Sequence, residues 1–534
     1  MKVRINFRKV MAVLIVAIIM VVINYLATPA LTFRSAGFWW FMSIAALLLA
    51  IALYTANYWE DDPQTVPAVL AIASGVAIVF MAVMSIACSP MFNSDSYRNR
   101  VVIEEGDFSH DIASLDSVSL VDVATARKLG DRTVAQIANS TWYDVDDEYN
   151  LIEYNGGYYR ISALNYGGLF KYNKAKSSGI PGYVMVNCKT QEAKFVRTET
   201  PYKYSPSAYF SNNLKRHLRH QYPSLVFGRS FFEIDDNGNP YWITSIKSPK
   251  LGLWSCRYEE RFVVTDAVTG SSEIYATDDL PEWIDHAYDL GYLMTGTTDN
   301  YQYVNGFWNS LFSKTGVQKL SYDYSDKAFE GYTSAISANG EVVFFTGVTP
   351  ANRAESIYGF VTANPRTGKV KFYQFPGAEE SSAQAAAQGL ISNFNYSANY
   401  PTIVDVNGVA TYFMMLKDQA GLVQRYALVN LENYTIAVED QTVEGVVAKY
   451  MEKVNPAAVS VTSNTKTGTI AEVHNAIVGG YTYFYYTFVS DEGLYVSSIE
   501  NGYRQVQVVP GDEIQVTYVP GKEPGVFMVT GGEF

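Results

Sequence analysis

The chain has 534 residues, too many for one hydrophobic core, so its length predicts several domains. Its formal net charge of −13 argues against a nucleic-acid partner, because nucleic-acid phosphates require clustered Lys and Arg. The three cysteines lie too far apart in sequence for a paired metal site or a dense disulfide framework. Cys188 and Cys256 either form one bridge or, in the favoured interpretation, remain two separate buried thiols.

Three apolar segments near the N-terminus are each long enough to cross a bilayer as a helix. They cover residues 10–31, 38–58 and 66–88, and one crossing needs about twenty apolar residues. We interpret residues 1–90 as a three-helix membrane anchor that ends in a membrane-end thiol, Cys88. A signal peptide is the alternative for the first segment, because basic residues precede it, but the segment is longer than a usual signal core.

The charges around these segments predict the orientation of the chain in the membrane. Cations precede the first segment and should stay in the cytoplasm; they are Lys2, Arg4, Arg8 and Lys9. The loop at residues 60–62 has no Lys or Arg and does not affect the prediction. Three crossings therefore place residues after about 89 in the extracytoplasmic space. The spans contain no charged residue, which argues against a transporter or a proton relay.

A pair of β-hairpin signals recurs four times between residues 150 and 440. The first signal is an Asn-Gly turn, whose residues tolerate the positive φ of a tight hairpin. It occurs at residues 155–156, 237–238, 339–340 and 407–408. The second signal alternates apolar and polar residues around a Thr-Gly turn, most clearly in residues 262–275 and 360–372. Gln191 and Tyr434 replace the turn glycine in the first and fourth copies.

Helices are predicted beside the hairpins. They cover residues 121–138, 205–218, 378–391 and 442–454. Because alternating strands leave one apolar face on each sheet, the helices should cover that face, which predicts an α+β fold. A β-propeller also has four-stranded units, but helices between the units argue against it.

The order of helix, hairpin and hairpin, the Asn-Gly turn and the Asp-x-x-Thr-Gly motif at residues 266–270 resemble the PepSY domain family over roughly residues 115–440. PepSY domains are small α+β modules of secreted peptidase propeptides and membrane-anchored bacterial envelope proteins. The resemblance implies an interaction or regulatory role outside the membrane, with no catalytic residues. The predicted modules span residues 91–200, 201–290, 291–376 and 377–455.

An aromatic-rich insertion enlarges the interval between the second and third modules. We predict a contact surface formed by Tyr301, Tyr303, Phe307 and Trp308, because insertions in repeat proteins tend to carry function. In the alternative, which is slightly favoured, a short amphipathic helix fills the joint between the modules. Its apolar side chains would be Phe307, Trp308, Leu311 and Phe312.

Residues 456–534 depart from the repeat and predict a small β-barrel of the OB type. The predicted strands are 469–473, 481–489, 493–496, 504–508 and 511–518, with a turn at 479–480. Tyr481, Tyr483, Tyr485 and Tyr495 are predicted to fill the barrel core. An OB-type barrel can bind oligonucleotides or glycans, but the acidic composition argues against the former.

The search for chemistry finds no motif with a defined mechanism. His217 and His220 share a helix but lack further ligands, and residues 144–148 could hold calcium loosely or form a hydrated turn. We predict no cofactor, no metal site and no catalytic residue. The predicted function is a membrane-anchored extracytoplasmic binding or scaffold protein of the bacterial envelope with an envelope protein partner. The alternative is a regulator of, or an enzyme acting on, envelope peptides or cell-wall polymers.

Overall fold

A computed structural model of the protein describes residues 7–59, 63–136, 140–321, 333–351, 356–454, 464–478, 481–489, 491–520 and 525–534. The predicted loop at 60–62, the turn at 479–480 and part of the insertion, residues 322–332, lie outside these ranges. The chain is a mixed α+β protein with three long apolar N-terminal helices and a closed five-stranded barrel. These features of the predicted fold are confirmed.

The first three helices are long and apolar enough to cross a membrane. They are α1 (Phe7–Ala27), α2 (Ala36–Tyr58) and α3 (Thr65–Ala87), with mean hydropathies of 2.8, 2.1 and 2.5. Only 11% of the most apolar stretch of each helix is buried within the protein, so its outer surface suits a lipid environment. Ser74 donates a hydrogen bond to Ser43 O at 3.0 Å and joins α3 to α2. The three helices fit a membrane location.

The chain continues through α4 (Pro90–Arg98), β1 (Ile103–Glu105) and α5 (Phe108–Asp111). The first module contains α6 (Val123–Asp131), β2 (Tyr143–Val145), β3 (Asn150–Tyr154), β4 (Gly157–Ser162), β5 (Leu164–Tyr166), α7 (Leu169–Ala175), β6 (Ile180–Asn187) and β7 (Ala193–Tyr202). The second contains α8 (Leu214–Gln221), β8 (Phe227–Ile234), β9 (Pro240–Leu251), β10 (Ser255–Asp266) and β11 (Ser272–Ala276).

The third module contains α9 (Leu290–Gln302), α10 (Gly306–Leu311), β12 (Gln318–Leu320), β13 (Thr333–Ile336), β14 (Val342–Pro350), β15 (Ser356–Ile357), β16 (Gly359–Ala363) and β17 (Val370–Tyr373). The fourth contains β18 (Gly377–Ala378), α11 (Glu380–Leu390), β19 (Ser397–Ala398), β20 (Thr402–Val406), β21 (Val409–Lys417), β22 (Val423–Asn430), β23 (Ala437–Asp440) and α12 (Val443–Val454). The barrel contains β24 (Asn464–Val478), β25 (Tyr481–Phe488), β26 (Asp491–Ser498), β27 (Glu513–Pro520) and β28 (Val526–Glu533).

All four sequence repeats form the same antiparallel arrangement of two successive hairpins. The strand orders are β3-β4-β6-β7, β8-β9-β10-β11, β13-β14-β16-β17 and β20-β21-β22-β23. The third sheet is extended by β12 along β14 and by β1, which runs parallel to β17. The segment that follows the helical bundle is therefore built into the third module.

The turns repeat as closely as the strands do. Asn155 and Gly156 both have positive φ, at 51° and 75°, as a two-residue hairpin turn requires. In the second hairpin of each module, an Asn or Asp side chain accepts backbone N–H bonds from the turn; these residues are Asn187, Asp266, Asn364 and Asn430. Gln191 adopts a φ of 60° where Gly270 of the second module has 77°. The turn thus persists in the first copy although its glycine is absent.

The prediction that only one face of each sheet is covered is wrong for the fourth module. β21 is buried from Ala410 to Lys417, so both of its faces are inside the protein. Tyr412 and Met414 pack with the residues of α11, whereas Phe413 and Met415 pack with those of α12. The fourth sheet is therefore a layer between two helices.

The second and third sheets are also covered on both faces. In the second sheet, Trp242 belongs to a core shared with α8 and the first module, and Ile243 belongs to a core shared with α9 and the third module. In the third sheet, Val361 faces that same α9 core, and Phe360 faces the fourth module. Neighbouring modules therefore share hydrophobic cores.

Buried charged side chains tie the first module to the third and fourth. Arg160 is 3% exposed and donates hydrogen bonds to Val121 O at 2.6 Å and Ser334 Oγ at 2.8 Å. Lys417 of the fourth module forms a buried ion pair with Asp122, which also caps α6. These contacts link modules that are distant in sequence, so the four modules form one packed body.

Residues of α8 and of the β9–β10 hairpin attach the second module to the helical bundle. The guanidinium of Arg216 on α8 lies 4.4 Å from the ring centroid of Tyr25 on α1. At the tip of the long β9–β10 hairpin, Trp254 packs against Trp39 and Phe80 with ring centroids 6.4 and 6.3 Å away. We call the end of the bundle that carries these contacts its docking end.

A glycine allows the hairpin tip to approach α3 closely. Gly252 has a φ of 56°, and a Cβ at this position would lie 2.5 Å from Cys88 Sγ. Cys88 is buried at the C-terminal end of α3. Cys88 therefore lies where α3 meets the hairpin tip, and its interpretation as a membrane-end thiol stays a prediction.

The C-terminal barrel has the strand order β24-β25-β26-β28-β27 and closes between β24 and β27. The predicted strand at 504–508 is wrong, because residues Tyr503–Gln507 form a 3-10 helix, and the fifth strand is β28. The core is filled by Phe484, Tyr486, Phe488 and Tyr495. Tyr483 and Tyr485 alternate with these residues and are half-buried on the outer side, which corrects their predicted core role. The side chain of Tyr481 is outside the described part of the chain.

Replacing Arg160 should lower thermal stability, because it holds two modules together from a buried position. Arg160→Met would leave buried acceptors without donors, and a hydrogen bond from a charged group contributes roughly 1.5–3 kcal/mol. We expect a lower unfolding temperature for the full-length protein in lipid nanodiscs, measured by differential scanning fluorimetry. The exposed Arg132→Met is the control. Equal unfolding temperatures for the two variants would contradict the assigned role of Arg160.

Candidate functional site

The four residues of the predicted contact surface differ in exposure. Tyr301 is half-buried and packs edge-on to Phe372 of the third module at 6.3 Å, and Tyr303 is buried. Trp308 is 52% exposed. The structure therefore brings the four residues onto adjoining segments but leaves Trp308 as the principal exposed side chain among them, and their role in contacting a partner stays a prediction.

The alternative helix is present, but its apolar side does not fill the joint between modules. Residues Gly306–Leu311 form α10. Trp308 and Phe312 stack on each other with ring centroids 6.0 Å apart, and both face outward together with Leu311. The joint is filled instead by Leu293 and Met294 of α9.

A cavity of about 510 Å³ lies at the N-terminal end of α9, beside the hairpin tip that contacts the bundle. We call it the α9 cleft. Its walls come from α4 and the residues after it, from β9 and β10, and from the first turns of α9. The charged and polar lining residues include Tyr97, Arg100, Lys247, Arg257, Glu259 and Asp289. These residues come from separate parts of the sequence, so no local sequence motif predicts the cleft.

An acidic pair and a lysine form the inner wall of the α9 cleft. Glu259 is 1% exposed, and its Oε2 accepts a hydrogen bond from the backbone N–H of Asp289 at 3.1 Å. Lys247 Nζ lies 3.6 Å from Glu259 Oε1 and 4.0 Å from Asp289 Oδ2. Burial raises the pKa of Glu259, because a carboxylate is poorly solvated there. Asp289 also caps α9 by accepting from the N–H of Gly291.

Two arginines also line the cleft. Arg100 pairs with Asp299 at 2.7 Å, and its guanidinium lies 5.7 Å from the ring centroid of Tyr292. Arg257 donates from Nε to Trp254 O at 3.0 Å, and burial lowers the pKa of its guanidinium. The cleft therefore presents both signs of charge, which suits a small polar group or a charged side chain of a partner.

Cys256 borders the α9 cleft but is held as a thiol. Its Sγ is 3.2 Å from Ser96 O, to which the S–H donates, and burial raises its pKa. A protonated thiol is a weak nucleophile. Its backbone φ of 44° is unusual for a non-glycine residue and marks the bend of β10 at the hairpin tip.

A second group of titratable residues is enclosed where three modules meet. Glu233 Oε1 is 2.9 Å from His286 Nδ1 and accepts from the backbone N–H of His286 at 3.1 Å. Burial raises the pKa of Glu233 and lowers that of His286 to about 4. Both shifts favour the uncharged forms of the two side chains. Both side chains are inside the protein, where a substrate has no access to them.

The remaining candidate ligands have structural partners. Glu148 pairs with Arg229, and Asp146 accepts from Asn165, so the acidic segment at 144–148 is divided between ion pairs and turn contacts. His217 contacts Gly270 O at 2.6 Å within the second module, and His220 is exposed. Within the described ranges, no group of three or more His, Cys, Asp or Glu side chains could hold a metal ion.

The possible bridge between Cys188 and Cys256 is absent. All three cysteines are free and buried. Cys188 lies in a small core with Leu151 and Ile336, whereas Cys256 lies at the hairpin tip. The interpretation as separate buried thiols is confirmed.

Comparison with known proteins finds no family model and no curated protein sequence that matches the chain.

Asp285, next to the buried Glu–His pair, should make stability depend on pH. Burial raises the pKa of Asp285 from 3.8 to about 7, and the charge of nearby Glu233 is the second contribution to this increase. Between about pH 4 and 7 the folded protein holds a proton that the unfolded chain releases, so this residue's contribution to stability falls as pH rises. Asp285→Asn removes the ionisation.

We expect Asp285→Asn to raise the unfolding temperature relative to the unsubstituted protein, and to raise it more at pH 8 than at pH 5. Differential scanning fluorimetry in nanodiscs at both pH values measures this difference. The exposed Asp278→Asn serves as the control. An effect of Asp285→Asn that is the same at both pH values would contradict the raised pKa.

Proposed function

We propose that the chain is a membrane-anchored, extracytoplasmic binding or scaffold protein of the bacterial envelope without catalytic activity of its own. Its four modules are PepSY-like, and its barrel is of the OB type. The repeated antiparallel sheets with covering helices support the first assignment. The barrel's closure, including the parallel pair β26–β28, supports the second. Binding of a partner uses the α9 cleft.

The main support for this proposal is that the surrounding fold fixes the walls of the α9 cleft in place. Its walls belong to β9 and β10, whose hairpin tip packs on the bundle through Trp254, and to α9, which lies in the core shared by the second and third modules. Lys247, Glu259 and Asp289 are constrained by one another. A rigid charged recess beside the membrane suits recognition of a partner, because little conformational freedom is lost on binding.

The chemistry of the side chains also supports binding rather than catalysis. The Cys256 thiol is protonated and donates to a backbone oxygen. Arg100 is engaged by Asp299, and Glu259 by Lys247 and a backbone N–H. These groups are arranged to stabilise one another and to recognise charge.

The proposed topology predicts the location of three reporter fusions. Three spans with a cytoplasmic N-terminus place a reporter after Gly37 outside, one after Gln64 inside and one after Arg98 outside. Paired alkaline phosphatase and fluorescent-protein fusions measure each location, because each reporter is active on only one side. A cytoplasmic reporter after Arg98 would overturn the extracytoplasmic assignment.

Binding at the α9 cleft predicts a position-specific crosslink in cells. Thr295 lies exposed on the cleft wall, and a photoreactive amino acid there should yield a discrete adduct with an envelope component. The same substitution at Tyr503, exposed on the barrel, is the control. Lys247→Glu, which reverses one charge of the cleft, should reduce the adduct from Thr295. The absence of any adduct from Thr295 would count against the cleft as a binding site.

A further inference from the structure

Large apolar side chains remain exposed on two sides of the docking end of the bundle. One group, the α7 patch, consists of Leu169, Phe170 and Phe210. The other, the α10 patch, consists of Met91, Phe92, Trp308, Leu311 and Phe312. Soluble surfaces seldom expose several large apolar side chains together, so each patch suits a contact with something apolar.

The α7 patch adjoins the end of α1. Phe170, at the start of α7, is 86% exposed. Tyr172 of the same helix lies 6.2 Å from Phe210 between ring centroids, and Phe210 begins the 3-10 turn Phe210–Asn212 that precedes α8 in the chain. Two residues of α8 hold the end of α1, since Arg216 Nε donates to Tyr25 O and Arg219 Nε donates to Thr28 O.

Phe210 is also held in an unusual backbone conformation. Its φ of 54° is a strained value for a bulky residue. Because the side chain remains 49% exposed, its packing within the protein offsets only part of this backbone strain.

The α10 patch adjoins the end of α3. α4 starts at Pro90, three residues after α3 ends, and carries the exposed Met91 and Phe92. Arg98 of α4 donates to Val304 O, two residues before α10 begins. Phe312, 77% exposed, stacks on Trp308. The patch is thus continuous with the last membrane-length helix.

Basic residues surround the α7 patch although the chain as a whole is acidic. Lys171, Lys174 and Lys176 lie on or next to α7. α8 adds Lys215, Arg216 and Arg219 within eight residues that contain no acidic side chain. Cations near a bilayer attract anionic headgroups, and aromatic rings favour the interface between headgroups and acyl chains.

We propose that the α7 and α10 patches rest in the headgroup region of the bilayer that the three helices span, so that the folded modules touch the membrane at two further points. The occupant of both patches is a lipid surface containing anionic headgroups. The position of each patch beside the end of a membrane-length helix, together with the local positive charge, favours lipid over a second copy of the chain. Trp308 of the predicted contact surface is thereby assigned to lipid.

Two labelled positions test this proposal in the full-length protein. Phe170→Cys and Phe312→Cys change highly exposed side chains, and the native cysteines are buried. Each variant is labelled with an environment-sensitive fluorophore and reconstituted in nanodiscs of phosphatidylethanolamine and phosphatidylglycerol. Tyr503→Cys on the barrel is the control, and the unsubstituted chain measures background labelling.

Both test labels should emit at shorter wavelength than the control and lose intensity when lipids with a nitroxide at a shallow acyl position are included. The Tyr503 label should show neither change. Labels at 170 and 312 that resist quenching would overturn the proposal. Burial against a second copy would give the wavelength shift without quenching, and it would also overturn the lipid assignment.

The contribution of charge has a separate readout. In nanodiscs of phosphatidylcholine alone, quenching at position 170 should decrease more than at position 312, because the cations cluster around the α7 patch. Equal quenching in the two lipid compositions would overturn the anionic preference. This experiment is independent of the α9 cleft, so loss of crosslinking at Thr295 with retained quenching would reject the proposed partner site alone.

Discussion

The architecture depends on covering both faces of its β-sheets, because both faces of these sheets are apolar. An antiparallel sheet commonly leaves one face in water. In this protein Tyr412 and Phe413, adjacent on β21, point into different hydrophobic cores, and Ile243 and Trp242 of β9 do the same. Helices α9 and α11 between the sheets provide part of that cover. The modules consequently cannot be independent domains joined by linkers.

Local features of the fold were predictable because the residues that cause them are adjacent in sequence. Asn155 and Gly156 specify a turn by their own backbone preferences, and the apolar length of α1 to α3 is directly readable. The 3-10 helix at residues 503–507 is not predictable from the local pattern, because Val506 and Val508 have the two-residue spacing of a strand. Of these two valines only Val508 is buried, and the buried residue within the 3-10 helix is Gln505.

Contacts between residues distant in the sequence were not predictable, because a local sequence pattern does not identify the residue at the other end of the contact. In the sequence, Arg160 is one charged residue of an alternating strand. Only the three-dimensional structure shows that its guanidinium donates a hydrogen bond to Ser334. The α9 cleft has the same property: Arg100 and Asp299 pair across 199 residues, and Lys247 meets Asp289 only when β9 lies beside α9. The aromatic insertion was recognised by composition, but the exposure of Trp308 and the burial of Tyr303 depend on how α10 packs.

The length of the β9–β10 hairpin has a practical consequence for preparing the protein. Twelve residues per strand extend about 40 Å, and the tip rests among Trp39, Phe80 and Cys88 rather than in solvent. Removing the N-terminal helices to obtain a water-soluble fragment would strip Trp254 of these neighbours and leave the hairpin end uncovered. A detergent micelle or nanodisc that retains all three helices is therefore the appropriate preparation for biochemical work.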